Sequence, residues 1–231
     1  GDALEKPAFI IRGWQGGEPA WQFANRSNYP FAPGDGFGLA GGHYFSPQYY
    51  EHTEGIQRFN PVLKGEKITP WSEGRTLCCL SEPDFLKHQL DGVPCVRNLK
   101  YVGDLDACVF GTDDNFGACE CEKCTAPRKG LSGRMLDPKK DIESFYGAWF
   151  WSHINKMDNE IQKVMPGFET LSYAYFYNHR VPDIKLNKTV GALICNYYRK
   201  AYNQPVFAPV NARWWQAYRG WSAGGRQTYL S

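Results

Sequence analysis

Long apolar runs are absent from this 231-residue chain. None approaches the roughly 18 residues needed to cross a bilayer as a helix, so a membrane-spanning reading is set aside. Charge of one sign is scarce too: a net charge of +2 lacks the basic excess with which nucleic-acid binders neutralise phosphate. The first residues, Gly1-Asp2-Ala3-Leu4-Glu5-Lys6-Pro7, show neither the basic stretch nor the apolar core of a signal peptide, which is expected to have been removed or to lie upstream. No His-Glu-x-x-His occurs, which excludes the common zinc-protease signature. The glycines of GDGFGLAGGH, residues 34–43, are not followed by Gly-Lys-Ser/Thr, and a phosphate-binding loop is excluded with them. There is no internal repeat and no low-complexity tract.

What is abundant is aromatic. Phe, Trp and Tyr make up 16% of the residues, with eight tryptophans. Exposed rings stack on the apolar faces of sugars, so carbohydrate, as oligosaccharide or polysaccharide, is the partner this composition favours; the competing reading is that the rings fill the core. Hydrophobic content of 42% and charged content of 22% are those of a globular domain, here taken as one unit over 1–231. Eight cysteines suggest disulfides in an oxidising compartment, and hence a secreted, periplasmic or cell-surface protein. The sequons at Asn25 and Asn187 are compatible with that.

Hydrophobic periodicity predicts strands at Ala8–Trp14, Arg75–Leu80, Ala107–Gly111, Glu169–Tyr177, Thr189–Tyr198 and Arg226–Leu230. It predicts helices from Pro83 to about Leu90, over Asp141–Met165, and over Ala212–Trp221 with Asn211 as cap. The stretch from Pro30 to about Trp71 reads as long and irregular, a functional loop. Strands alternating with helices imply a parallel sheet. The expected fold class is α/β, a (β/α)8 TIM-type barrel with six to seven βα units present. A full barrel takes about 250 residues, so a longer protein with additional domains is expected.

The most informative segment is Ala107–Cys124, ACVFGTDDNFGACECEKC. A buried strand runs into the carboxylates Asp113 and Asp114, followed at once by Cys119, Cys121 and Cys124. In an α/β barrel, strand ends are where catalytic acids are presented. The cysteines, with Cys79 or Cys78 as a fourth, have two readings: disulfides that pin the loop, with no cofactor, or a structural zinc site. A candidate substrate-binding set completes the reading: Arg12, Tyr175, His179 and Asn196 at or near other strand ends, His43 after a glycine pair, and Asn115 beside the two acids. For Asp113 and Asp114 the alternative is a turn or a helix cap.

Several blocks carry a resemblance. They are Pro7-Ala8-Phe9 with Arg12-Gly13, Gly41-Gly42-His43-Tyr44-Phe45, Leu77-Cys78-Cys79-Leu80-Ser81-Glu82-Pro83, Asp114 to Cys124 and Leu171-Ser172-Tyr173-Ala174-Tyr175. Together they resemble a family of glycoside-hydrolase-like barrel proteins, mostly secreted and bacterial, catalogued as a domain of unknown function and related to hexosaminidase- and α-glucuronidase-type barrels. The resemblance implies a glycoside hydrolase acting on an N-acetylated or acidic sugar. Asp114 would be the general acid and Asp113 the group that orients the substrate's acetamido nucleophile. Asp114 matches the family position, whereas Asp113 is an extra acidic residue there. The rival function is a non-catalytic carbohydrate-binding or surface-assembly protein.

Overall fold

The computed structural model describes residues 39–43, 45, 55–68, 77–92, 107–112, 117–195, 200–201, 203–223 and 228–230. In chain order the elements are β1 (Leu39–His43), β2 (Val62–Leu63), β3 (Glu66–Lys67), α1 (Phe85–Gly92), β4 (Ala107–Gly111), α2 (Glu122–Thr125), β5 (Arg128–Lys129), β6 (Met135–Leu136), α3 (Ile142–Val164), β7 (Glu169–Ala174), β8 (Val190–Ile194), α4 (Ala212–Ala223) and β9 (Thr228–Leu230).

Strands β4 (ACVFG) and β8 (VGALI) are buried at every position. That fits the centre of a parallel sheet, where both faces are covered and apolar residues need not alternate with polar ones. The sheet has the order β1-β4-β7-β8-β9, and every pairing is parallel. One face packs on α3. The other carries a smaller cluster of Ala107, Val109, Leu171 and Leu193, with Tyr173 beside it.

This corrects the expected (β/α)8 TIM-type barrel of six to seven βα units. Among the described residues the sheet is open, with β1 and β9 as its edges and no ladder joining them. Closure needs enough strands, tilted and staggered, to return the last to the first, and five described strands do not. The βα alternation also breaks, because β7 passes to β8 through a single 3-10 turn, Phe176–Asn178, and irregular chain. Two local expectations change as well. LAGGH, inside the stretch read as irregular, forms β1 in register with β4. Residues 77–80 are buried but are not a strand. The expected strand at Ala8–Trp14 lies outside the described residues.

Helix α3 matches its expected span closely. Asp141 caps it, accepting from the Ser144 backbone N–H at 3.1 Å and from the Ser144 hydroxyl at 2.7 Å, which satisfies one of the free donors of the first turn. Phe145, Trp149, Ile154, Met157 and Ile161 of the expected face are buried, while its two ends, Ile142 and Val164, are exposed. Burial is wider than one stripe in the first turns. Gly147 lies so close to the next crossover that an added Cβ would stand 3.1 Å from the Tyr177 carbonyl oxygen.

A polar clamp fixes the other half of α3. Asp158 is 1% exposed, and its carboxylate accepts from Gln162 Nε2 (3.0 Å), Thr170 Oγ1 (2.8 Å), Asn187 Nδ2 (2.8 Å) and Thr189 Oγ1 (2.9 Å). Thr170 stands near the start of β7 and Thr189 precedes β8, so one buried carboxylate joins the helix to the amino ends of two strands. Asn187, the sequon asparagine, has its amide occupied by this clamp. Removing the acceptor leaves several buried donors unsatisfied, so Asp158→Ala is expected to cost about 3 kcal/mol of stability, read from urea unfolding. A loss below about 1 kcal/mol would show that the clamp is not structural.

Candidate metal centre

Two segments without long regular structure build the most concentrated chemistry among the described residues. The first, residues 77–81, is stitched by backbone N–H groups: Leu77 donates to the Gly117 carbonyl (3.0 Å), Cys78 to that of Phe45 (2.9 Å) and Cys79 to that of Phe59 (2.8 Å). The second runs from Gly117 through Cys119 into α2. Cys121 is the N-cap residue of this single turn, so Cys121 and Cys124, three apart, face the same side. The β2–β3 hairpin supports it from below. Its turn residues Lys64 and Gly65 both have positive φ, 50° and 84°, as a two-residue type I′ turn requires. The Glu120 N–H donates to the Val62 carbonyl at 2.7 Å and the Val62 N–H to Cys119 Sγ at 3.3 Å.

Cys79, Cys119, Cys121 and Cys124 thereby meet, with all four Sγ atoms within 4.8 Å of one another. Cys79 Sγ lies 3.7 Å from the sulfurs of both Cys121 and Cys124. A tetrahedron with metal–sulfur bonds of about 2.3 Å has edges of about 3.8 Å, whereas a disulfide needs about 2.05 Å. The four are free thiols. The disulfide reading therefore does not hold at these positions, and a four-cysteine group able to hold a metal ion takes its place. Cys78 is a buried thiol outside the group, and Cys195 is a thiol directly after β8. Cys108, in β4, is disulfide-bonded.

The four thiols perturb one another strongly. Hydrogen bonds from Cys124 and Cys79 pull the Cys119 thiol far down, helped by the backbone N–H groups of Val62 and Cys121. Cys79 and Cys124 are pushed up, first by Cys119, as one thiolate is stabilised by its protonated neighbours. Four thiolates this close repel one another unless a cation sits between them. The surrounding donors are those that orient metal-bound sulfur: the Ser81 hydroxyl is 3.0 Å from Cys124 Sγ, and backbone N–H groups at Ser81 and Cys121 serve Cys79 and Cys119. Ser81 carries no sequence signal of its own beyond standing two residues after Cys79.

The other expected site residues fall as follows. His43 ends β1 opposite Gly111, the last residue of β4. Asp113, Asp114 and Asn115, directly after β4, lie outside the described residues, as do Arg12 and Asn196. Tyr175 follows β7, half-buried, with its ring centroid 4.1 Å from that of Phe176. Its N–H donates to Asn178 Oδ1 (3.0 Å), and Asn178 Nδ2 donates to the Tyr173 carbonyl (3.0 Å). Phe176 holds a positive φ of 48°, a strained conformation for an aromatic residue at a strand exit. His179 is 2% exposed, with Nδ1 2.5 Å from the Phe176 carbonyl oxygen, and burial lowers its pKa to about 4. The structure thus ties His179 into the turn after β7. It brings the four cysteines together, but does not bring His179 to the surface.

Beside the four-cysteine group a cavity of about 410 Å³ opens between the start of α1 and α3, lined by Ser81, Lys123, Arg128, Trp149, His153 and Lys156 among others. His153 is buried between the rings of Phe45 and Phe85, with Nε2 2.7 Å from Gln89 Oε1. Burial lowers its pKa from 6.5 to about 3. The unfolded chain binds a proton near pH 6.5 that the folded chain refuses until about pH 3. This contribution to stability is therefore full above pH 6.5 and is lost as pH falls from there to about 3. His153→Leu should flatten the stability–pH curve by about one proton over that window; an unchanged slope would place the titration elsewhere.

Alkylation of the metal-free, denatured protein without reductant, followed by peptide mapping, should find Cys79, Cys119, Cys121 and Cys124 each singly labelled. Cross-linked peptides among the four would restore the disulfide reading. No protein-family model matches the chain, and no curated protein is similar enough to count as a relative.

Proposed function

We propose that the four-cysteine group is a structural zinc centre, and that the loop it braces belongs to a carbohydrate-active site at the carboxyl edge of the sheet. The observation that carries the metal reading is the sulfur spacing: 3.7 Å from Cys79 to two partners, against about 3.8 Å for a tetrahedral thiolate shell. Four thiolates select zinc over hard cations. They also leave no open position for water or substrate, so the metal holds the loop and takes no part in turnover.

Ligands of open parallel sheets bind at the carboxyl ends of the strands. His43, at the end of β1, and Tyr175, just after β7, occupy that edge. Asp113, Asp114 and Asn115 follow β4 in the chain, and Asn196 follows β8 by two residues. In this reading Asp114 protonates the leaving glycosidic oxygen, and Asp113 orients the acetamido group of an N-acetylated sugar. Glycoside hydrolysis requires two such groups.

Purified protein should contain one zinc per chain by plasma mass spectrometry. It should turn over members of a panel of N-acetylated and acidic chromogenic glycosides, with turnover abolished in Asp114→Asn at unchanged zinc content and melting temperature. Glycan binding with no turnover in the native protein would overturn the hydrolase reading in favour of a binding protein. Absence of zinc would overturn the metal reading.

A further inference from the structure

Arg128 stands out among the arginines. Arg58, Arg134, Arg180 and Arg213 are exposed, and each lies within 4.0 Å of a carboxylate; Arg219 has no such partner among the described residues but is exposed to water. Arg128, which opens β5, is half-buried and pairs with no carboxylate among the described residues. One Nη donates to the Cys124 carbonyl at 3.3 Å. The guanidinium carbon sits 4.6 Å from the centroid of the Phe145 ring, and Nε is buried without a hydrogen-bond partner among the described residues. A guanidinium cannot shed its charge, so a desolvated one needs an anion close by. The hydrogen bond to the Cys124 carbonyl places the guanidinium beside the residue whose sulfur belongs to the four-cysteine group.

A divalent ion held by four thiolates leaves the centre with a net negative charge of two. We propose that Arg128 is the outer-shell counter-charge of the loaded four-cysteine centre, balancing the tetrathiolate and tying it through Phe145 to the first turn of α3. The inference rests on the reading that the four cysteines hold a dication. Lys123 and Lys156 line the same cavity but are exposed and are solvated by water. Arg128 is a positioning residue in this account: it touches a ligand's backbone, not the metal.

The test uses the full chain loaded with zinc or, for spectroscopy, with cobalt(II). Arg128→Gln keeps a donor for the Cys124 carbonyl and removes the charge. In chelator competition it should weaken zinc about 10- to 100-fold, the range expected of outer-shell partners. Arg128→Lys should recover part of the loss, and Lys123→Met should stay near the native value. The sulfur-to-cobalt charge-transfer band should move to longer wavelength in Arg128→Gln and part of the way back in Arg128→Lys. Native zinc affinity with an unmoved band in Arg128→Gln would overturn the proposal. So would binding of inorganic sulfate or phosphate by the native protein that Arg128→Gln abolishes at unchanged zinc affinity, which would assign the arginine to an anion in the cavity. Should Arg128→Gln not fold, Arg128→Met decides: it keeps an apolar stem against Phe145 and removes the charge, so a fully native affinity and band in it overturn the counter-charge role. A native chain that takes up neither zinc nor cobalt removes the four-cysteine metal reading itself, a result distinct from any arginine effect.

Discussion

Four sulfur atoms within 4.8 Å of one another impose a constraint that no run of apolar side chains in these segments supplies. Residues 77–81 and 117–124 hold one helical turn between them. Chain this irregular is positioned by what its backbone donates and by what its side chains share. Three N–H groups tie the first segment to Gly117, Phe45 and Phe59, so Cys79 reaches the other three sulfurs from a fixed direction. A metal among them would close a loop spanning Cys79 to Cys119 and remove its conformational freedom from the unfolded chain as well.

Helix α3 connects this centre to the sheet, and its two halves do different work. At its amino end Phe145 stacks under Arg128, and Gly147 lets the turn after β7 approach. Further along, Asp158 holds the amino ends of β7 and β8. The polar clamp thus sits at one edge of the sheet, while the strand exits at the opposite edge are left to loops. That division is the common one in parallel sheets, because strand carboxyl ends are where the crossovers leave room for a ligand.

Much of the regular structure was legible. The strand at Ala107–Gly111 and the helix near Asp141–Met165 follow from one-dimensional patterns, an unbroken apolar run in one case and a capped 3.6-residue period in the other. Where the reading failed, the deciding interactions were distant in sequence. LAGGH has little strand propensity, yet it pairs along β4 because a parallel ladder needs only backbone. Leu77–Leu80 looks like a strand, but the N–H groups of its first three residues go to three different segments. Asp158 sits on a helix read as apolar on its buried face, and nothing local announces that two threonines and an asparagine will surround it. The sequence places Asn211 as a helix cap. Its side chain is instead engaged with the Ala201 backbone and the Pro205 carbonyl, bonds of 3.0 to 3.1 Å across the preceding loop.

The sequence by itself determined the class of chemistry on offer: Cys119, Cys121 and Cys124 beside two carboxylates, on the exit of a buried strand. It also determined that the strands would be parallel, since helices intervene between most of them. Whether the cysteines would pair with one another or gather around a common centre was decided only in three dimensions. Spacing along the chain constrains Cys119, Cys121 and Cys124 to be near neighbours, but the fourth ligand, Cys79, comes from a distant segment, and sulfur separation is a property of the packed fold. Openness of the sheet was likewise a tertiary outcome. Each strand carries the same local pattern in a barrel as in an open sheet, and only the pairing of the edge strands distinguishes the two.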